Sequence, residues 1–332
     1  MNILVTGANG FVGAEACKKL IANGDSVRAL VRKTSDLGLL AGVEVEVVYG
    51  SLTDSASLKA AVAGMDAVCH VAAYVSDWGR LQDMREINVR GTRRLLDLAV
   101  EAGVKRFVFI SSAAIHSFID SEEMNEDSPR HKTSYPYCLT KREAEEVVRE
   151  YDAEGEIEGV ILRPGDVYGP GDRTSLLKMA DMLEKNRMAL IDRGSTLGAF
   201  TYVENMADAI VKSVHVTEAA GEAFVITDGI KLTWADYFRK LTAELDLKAP
   251  RISVPGPFAG FVAAVLEGVY TLLGIRSRPP LTRYLVEHLR WDFHFSIDKA
   301  RRILGYEPAV DVDTAILRTA QWYKKTVRKS GE

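Results

Sequence analysis

Short apolar runs rich in β-branched residues punctuate the first half of the chain, and stretches with helical spacing separate them. Residues 2–6 (Asn-Ile-Leu-Val-Thr) predict a buried strand. Gly7 to Gly13 form a turn, 14–22 predict a helix, and Gly24 ends it. Further strands are predicted at 26–32, 43–49, 67–72, 106–111 and 159–162, and helices near 57–63 and over 87–102 and 137–151. This alternation predicts βαβ units, hence an α/β fold with a doubly wound parallel sheet covered on both faces. Ligands of such sheets bind beyond the carboxyl ends of the strands. After Asp172 the spacing becomes irregular, with prolines at 250, 255, 257, 279, 280 and 308. The expected division is a sheet domain over 1–172, to which 200–228 returns, and a smaller, mostly helical C-terminal lobe from 173–199 and 229–332.

One apolar stretch stands apart. Residues 258–275 are nearly all apolar, and at helical spacing Phe258, Phe261, Val262, Val265, Val269 and Leu272 share a face. The run is short for a membrane span, and Glu267 and Gly268 interrupt it. Three readings stay open: a core helix of the lobe, a lid over an apolar pocket, or an interfacial helix in peripheral contact with a membrane.

Composition narrows the classes. Of 332 residues, 47% are hydrophobic and 27% charged, and the net charge is −4, which suits a globular protein and no nucleic-acid partner. Basic residues cluster only at Lys324-Lys325-Thr326-Val327-Arg328-Lys329, where cations suit a solvated helix end. Cys17, Cys69 and Cys138 lie far apart and the six histidines show no paired spacing, so no metal is expected and a reducing cytoplasm fits. Met1 leads straight into the first strand without a signal peptide.

The turn Thr6-Gly7-Ala8-Asn9-Gly10-Phe11-Val12-Gly13 follows a strand and opens a helix. Gly7 permits the tight exit, Gly10 lets the backbone approach a pyrophosphate, and Gly13 lets the helix pack on the sheet. The free amides of the helix N-terminus then face the anion, which makes 1–172 a dinucleotide-binding domain. A carboxylate for a ribose 2′-hydroxyl is missing from the end of the second strand until Asp36; Arg32 and Lys33 stand there instead and would neutralise a 2′-phosphate. NADP(H) is therefore expected ahead of NAD(H).

Tyr137 and Lys141 are four residues apart on a predicted helix, hence on one face. A free tyrosine titrates near ~10. A neighbouring ammonium and an oxidised nicotinamide would lower that value and make Tyr137 a general acid and base. Ser112 ends the fifth strand, where its hydroxyl can hold the reacting oxygen. Ser111 is the weaker candidate, because alternation points it elsewhere. Tyr135 lacks a lysine partner, since Leu139 stands four residues on.

Together these features resemble the extended short-chain dehydrogenase/reductase family across nearly the whole chain. The matching elements include the glycine turn, His70-Val71-Ala72-Ala73, Asn88-Val89-Arg90-Gly91-Thr92, Ser111-Ser112, Tyr137-x-x-x-Lys141 and Leu162-Arg163-Pro164-Gly165-Asp166-Val167-Tyr168-Gly169. The resemblance implies a Rossmann fold, a catalytic set of Ser112, Tyr137 and Lys141, and cofactor contacts from Gly7, Asn9, Gly10, Phe11, Val12, Gly13, Ser51, Leu52, Ala72 and Ala73. It also implies that Tyr137 and Lys141 touch the cofactor, that Pro164 and Val167 lie beside the nicotinamide end, and that Asn88 ties the sheet together. The two long helices resemble those that pair in the family's homodimers. Two departures are visible. Gly50-Ser51-Leu52 stands where the family has Gly-Asp-Leu, and Ile115-His116-Ser117 stands where it has Val-Tyr-Gly.

The C-terminal half resembles the 3β-hydroxysteroid dehydrogenase branch through Phe200-Thr201-Tyr202-Val203-Glu204-Asn205, Pro279-Pro280-Leu281-Thr282-Arg283 and Phe295-Ser296-Ile297-Asp298-Lys299-Ala300. Dihydroflavonol-type reductases are relatives of that branch. This implies hydride transfer to or from a lipophilic substrate: a sterol, a sterol acid or a long-chain keto acid. A nucleotide-sugar 4-epimerase is the alternative, but Gly198 and Ala199 stand where its diphosphate-binding arginine belongs. A sugar dehydratase would need an acid pair where Ala113 and Ala114 stand. A non-catalytic NADP-binding sensor would have no need of the Ser112/Tyr137/Lys141 set.

Overall fold

The computed structural model describes residues 1–118 and 121–326; Val327, Arg328 and Lys329 of the basic tail lie outside them. Seven strands form the central sheet: β1 (Asn2–Thr6), β2 (Ser26–Val31), β3 (Glu46–Tyr49), β4 (Ala67–His70), β5 (Arg106–Ile110), β6 (Glu158–Pro164) and β7 (Ala223–Ile226). Their order is β7-β6-β5-β4-β1-β2-β3, and every pair is parallel. The helices that cover the sheet are α1 (Phe11–Ala22), α2 (Ser55–Val62), α3 (Gly91–Glu101), α4 (Pro136–Ala153) and α5 (Val203–His215). Successive strand residues face opposite sides. Ile3, Val5 and Val108 therefore pack with α1 and α5, and Leu4, Phe107 and Phe109 with α2, α3 and α4. Burial on both faces is why these strands read as continuous apolar runs.

Several boundaries shift by a few residues from the sequence reading, and two of the shifts have a clear local cause. The third strand begins at Glu46 rather than 43, because the chain is still turning: Gly42 has φ +77° and the Val43 amide donates to the Leu40 carbonyl. The helix expected from 87 is already helical from Leu81, and a wide π turn over Glu86–Arg90 joins Leu81–Arg85 to α3. That turn carries the buried Asn88.

Beyond the sheet, helices Ser175–Glu184, Trp234–Leu245 and Val312–Thr326 enclose a second core of Phe200, Tyr202, Tyr237, Leu241 and Ile316. Asp166–Tyr168 pairs in parallel with Phe200–Tyr202 at the seam between the two cores. On the outside lie α6 (Gly256–Leu272) and α7 (Arg283–Arg290). The core reading of 258–275 does not hold. The inward face of α6 is Ala259, Ala263 and Glu267, with Glu267 paired to Arg283 at 2.6 Å, and the large apolar side chains point outward. Among the described residues no helix is long and apolar enough to cross a membrane.

Candidate active site

The carboxyl ends of the sheet strands gather the expected residues along one edge. At the end of β1, Gly7 has φ +67°, and a Cβ there would lie 2.9 Å from the Ala72 backbone. A Cβ on Gly13 would lie 2.2 Å from the Gly7 carbonyl oxygen. Only glycine fits either place. Gly10 caps α1 without a side-chain bond, so the amides of Phe11, Val12 and Gly13 have no partner within the helix and are open to an anion at the turn. This cradle, open to backbone and closed to side chains, fits a dinucleotide pyrophosphate.

At the ends of β2 and β3, Arg32, Lys33, Tyr49, Gly50, Ser51 and Asp54 line an open pocket of about 290 Å³. Both cations are exposed, and neither has an ion pair among the described residues. Asp36 is taken by Arg173 and by the Gly38 amide, and Asp54 by the Ala56 and Ser57 amides that it caps. Leu52 does not join the pocket: its side chain is buried in the core against Gly91. Ala72 and Ala73 follow β4, and Pro164 and Val167 follow or end β6, all at this edge.

A line of hydrogen bonds runs beneath it. The Ala72 amide donates to Thr6 Oγ1 at 3.1 Å, and Thr6 Oγ1 lies 2.8 Å from His70 Nδ1. His70 Nε2 lies 3.0 Å from Thr92 Oγ1, which donates to the Asn88 carbonyl at 2.7 Å. One proton order satisfies all four groups: Thr6 donates to Nδ1, and Nε2–H donates to Thr92. The imidazole is therefore neutral, as expected where burial, and then Lys141, push its pKa down to about 3. Asn88 then donates to Thr140 Oγ1 at 3.1 Å and exchanges two bonds with the Tyr74 backbone. Asn88 was expected to tie the sheet together; its side-chain bonds instead tie the loop after β4 to α4.

Pro136 opens α4, where its missing amide costs nothing. The helix brings Tyr137 near Ser112, whose hydroxyl accepts from the Ala114 amide and caps the short turn after β5. Burial pushes the Tyr137 phenol up to about 12, and the nearby Ser112 hydroxyl only partly offsets this. Lys141 is 3% exposed and donates to the Ile110 carbonyl at 2.7 Å, over the Phe109 ring. Burial pulls its pKa down to about 7. The expectation that Lys141 lowers the tyrosine pKa is not met here: the Nζ bond goes to Ile110, and desolvation dominates both groups.

Behind Lys141 lies a fully buried ion pair. Arg163 donates to Glu145 at 2.8 and 2.9 Å, and Arg130 joins from the surface side at 2.9 Å. Burial would raise the Glu145 pKa, but Arg163 holds it below the ordinary value. His116 is buried here rather than facing a substrate; its Nδ1 donates to the Ser128 carbonyl and its Nε2 faces Arg163 at 3.4 Å. Ser117 takes φ +67° where the family has glycine, and Arg142 bonds its hydroxyl and the Ile115 carbonyl.

Sequence reasoning missed the aromatic wall beside Tyr137. His288 on α7 pairs with Asp166 at 3.0 Å and stacks on Phe118 at 4.8 Å. Tyr284 meets Phe118 at 4.8 Å and Tyr135 at 5.3 Å, in the apolar cluster that also holds Tyr137. The aromatic spacing of Tyr284 and His288 was the available signal. Among the described residues no three His, Cys, Asp or Glu side chains cluster to hold a metal.

A fold of this order, with a glycine cradle on β1 and a Ser–Tyr–Lys set on β5 and α4, defines a dinucleotide-dependent oxidoreductase. The family model for the NAD dependent epimerase/dehydratase family matches residues 3–227. The chain belongs to that family, the extended short-chain dehydrogenases/reductases, and is an NAD(P)-dependent oxidoreductase acting on CH–OH groups. It is 32% identical to the 2-alkyl-3-oxoalkanoate reductase of Stenotrophomonas maltophilia, over 96% of this chain and 98% of the relative. It is 30% identical to the 3 beta-hydroxysteroid dehydrogenase/Delta 5-->4-isomerase of Mycobacterium tuberculosis, over 97% and 90%. Among solved structures, dTDP-glucose 4,6-dehydratase from Streptomyces venezuelae with NAD bound superposes with a TM-score of 0.80 at 26% identity, covering 98% of both chains.

Proposed function

We propose that this protein reduces a ketone, or oxidises the matching secondary alcohol, on a lipophilic substrate of the sterol, sterol-acid or long-chain keto-acid type, with NADP(H) preferred. The observation that carries this is the approach of Ser112 and Tyr137 beside an aromatic wall of Phe118, Tyr135 and Tyr284. Such a wall favours apolar carbon skeletons. The relatives named for oxoalkanoate and hydroxysteroid substrates support the same class. Uncompensated Arg32 and Lys33 beside Ser51 suit a 2′-phosphate, while Asp36 is engaged elsewhere.

The bound dinucleotide supplies the hydride. Tyr137, kept protonated by burial, gives its proton to the carbonyl oxygen, and Ser112 donates a hydrogen bond to the same oxygen. Lys141 holds the floor of the site through Ile110 and binds the nicotinamide ribose. The epimerase alternative lacks a cation at Gly198-Ala199, where Ala199 is buried against Gly165.

The test is turnover with NADPH on ketosteroids and long-chain 3-keto acids against UDP-glucose. Activity on UDP-glucose alone refutes the reading. Tyr137→Phe is expected to abolish turnover and leave cofactor binding nearly intact; substantial remaining turnover would remove Tyr137 from its role. We also propose a cytoplasmic homodimer, paired through 87–102 and 137–151, with α6 at a membrane surface. The three buried unpaired thiols support a reducing compartment, and a monomeric mass in solution would overturn the dimer.

A further inference from the structure

The outer helix α6 is inverted relative to an ordinary surface helix. Ala263 is 0% and Glu267 8% exposed, while Phe258 is 60%, Phe261 67% and Leu272 85% exposed. Val265, Val269, Leu273 and Ile275 extend the same apolar surface. Burying the acid and exposing the phenylalanines leaves apolar area in water with no compensation inside the chain.

Charge around this helix is also unusual. The chain carries a net −4, yet residues 248–283 hold five cations and one carboxylate. Arg283 pairs with Glu267, and Arg278 with Asp77. Lys248 and Arg251 before the helix, and Arg276 after it, are exposed and have no ion pair among the described residues. Arg80 is likewise exposed and unpaired, two residues from Trp78, whose ring meets Tyr270 of α6 edge-on.

The surface leads to the active site. Asp77 accepts from Arg278 at 2.5 Å and from Thr282 at 2.6 Å, so the loop after β4 is clamped to the chain that follows α6. That loop exposes Tyr74 and Val75, and Asn88 holds its backbone to α4 one turn from Tyr137.

We propose that the outer face of α6, flanked by Lys248, Arg251 and Arg276, docks on an anionic lipid bilayer, with the loop after β4 beside it. This sharpens the membrane reading given above and does not rest on the identity of the substrate. At 17 residues the helix suits the plane of the interface, its apolar side chains below the headgroups and its cations among the phosphates. A second copy of this chain fits the face poorly. In an antiparallel pairing about a two-fold axis, the Arg251 end of one copy would meet the Arg276 end of the other, cation against cation.

The experiment is co-sedimentation of the full chain with vesicles of phosphatidylcholine, with and without phosphatidylglycerol, alongside light scattering. Binding to the anionic vesicles is expected, weakened by salt. Phe258→Ser/Phe261→Ser/Leu272→Ser should weaken it by at least about a hundredfold. Arg251→Gln/Arg276→Gln should weaken it by about fivefold per cation. Both variants should keep the wild-type melting temperature and turnover on a water-soluble ketone. No binding to either vesicle, equal binding to both, or a dimer that the triple variant dissociates would each overturn the proposal. None of these outcomes bears on ketone reduction, which is read separately by turnover.

Discussion

Lys141 gives this fold a stability profile that can be read between pH 7 and 9. Its ammonium is buried beneath the site, and its pKa falls from 10.5 to about 7. Below pH 7 both folded and unfolded chains hold the proton, and folding bears the full cost of burying the charge. As pH rises through 7 the folded chain releases the proton while the unfolded chain keeps it until 10.5, so stability rises. From pH 7 to pH 9 the gain integrates to about 2 kcal/mol. His70 and His116, lowered to about 3 and 4, finish titrating below this window, as does Asp228, raised to about 6. The buried thiols of Cys17 and Cys138, pushed up to about 12, pull the other way as pH nears 9. They are common to wild type and Lys141→Met, and cancel in the difference. The assay is urea unfolding of both proteins at pH 7, 8 and 9, at constant ionic strength and without cofactor. The wild type should gain about 2 kcal/mol on the variant across that range. Parallel profiles would mean that the ammonium keeps its charge, and the desolvation reasoning fails.

Three other outcomes follow from the geometry. Arg32→Ser and Lys33→Ser should each raise the KM for NADPH by about tenfold and leave that for NADH nearly unchanged, read by steady-state kinetics. Glu145→Ala leaves Arg163 charged and buried, and should cost about 3–5 kcal/mol in denaturant unfolding, with Arg163→Met/Glu145→Leu recovering much of it. Gly13→Ala forces the turn open against the Gly7 carbonyl and should abolish dinucleotide binding in a fluorescence titration while the far-ultraviolet dichroism persists.

What could be read in the chain was whatever local spacing encodes. The glycine turn, the apolar strands and the Tyr137/Lys141 pair each lie within a few residues, and each is where the spacing put it. The electrostatics were less legible. Lys141 was expected to act on Tyr137, but its partner, the Ile110 carbonyl, is 31 residues away in sequence, and burial shifts both groups more than they shift each other. The Asp166–His288 pair spans 122 residues and the Arg163–Glu145 pair joins a strand to a helix, so no periodicity announces either. For α6, spacing correctly grouped Phe258, Phe261, Val265 and Leu272 on one face but carried no information on which way that face turned. The volume-poor opposite face, Ala259 and Ala263 with an acid paired outside the helix, decided that.

The hydrogen-bonded line from Thr6 through His70, Thr92 and Asn88 to Thr140 has a consequence for how such an enzyme can change. Hydride transfer needs its reacting atoms within about 3–3.5 Å. The line works as a gauge between the cofactor cradle and the helix bearing the proton donor, and its one proton order leaves no rotor free to lengthen it. With His70 neutral down to about 3, the gauge length holds across physiological pH. No residue of the C-terminal lobe takes part in it. The aromatic wall beside Tyr137 can therefore be rebuilt, residue by residue, without resetting the distance over which the reaction occurs.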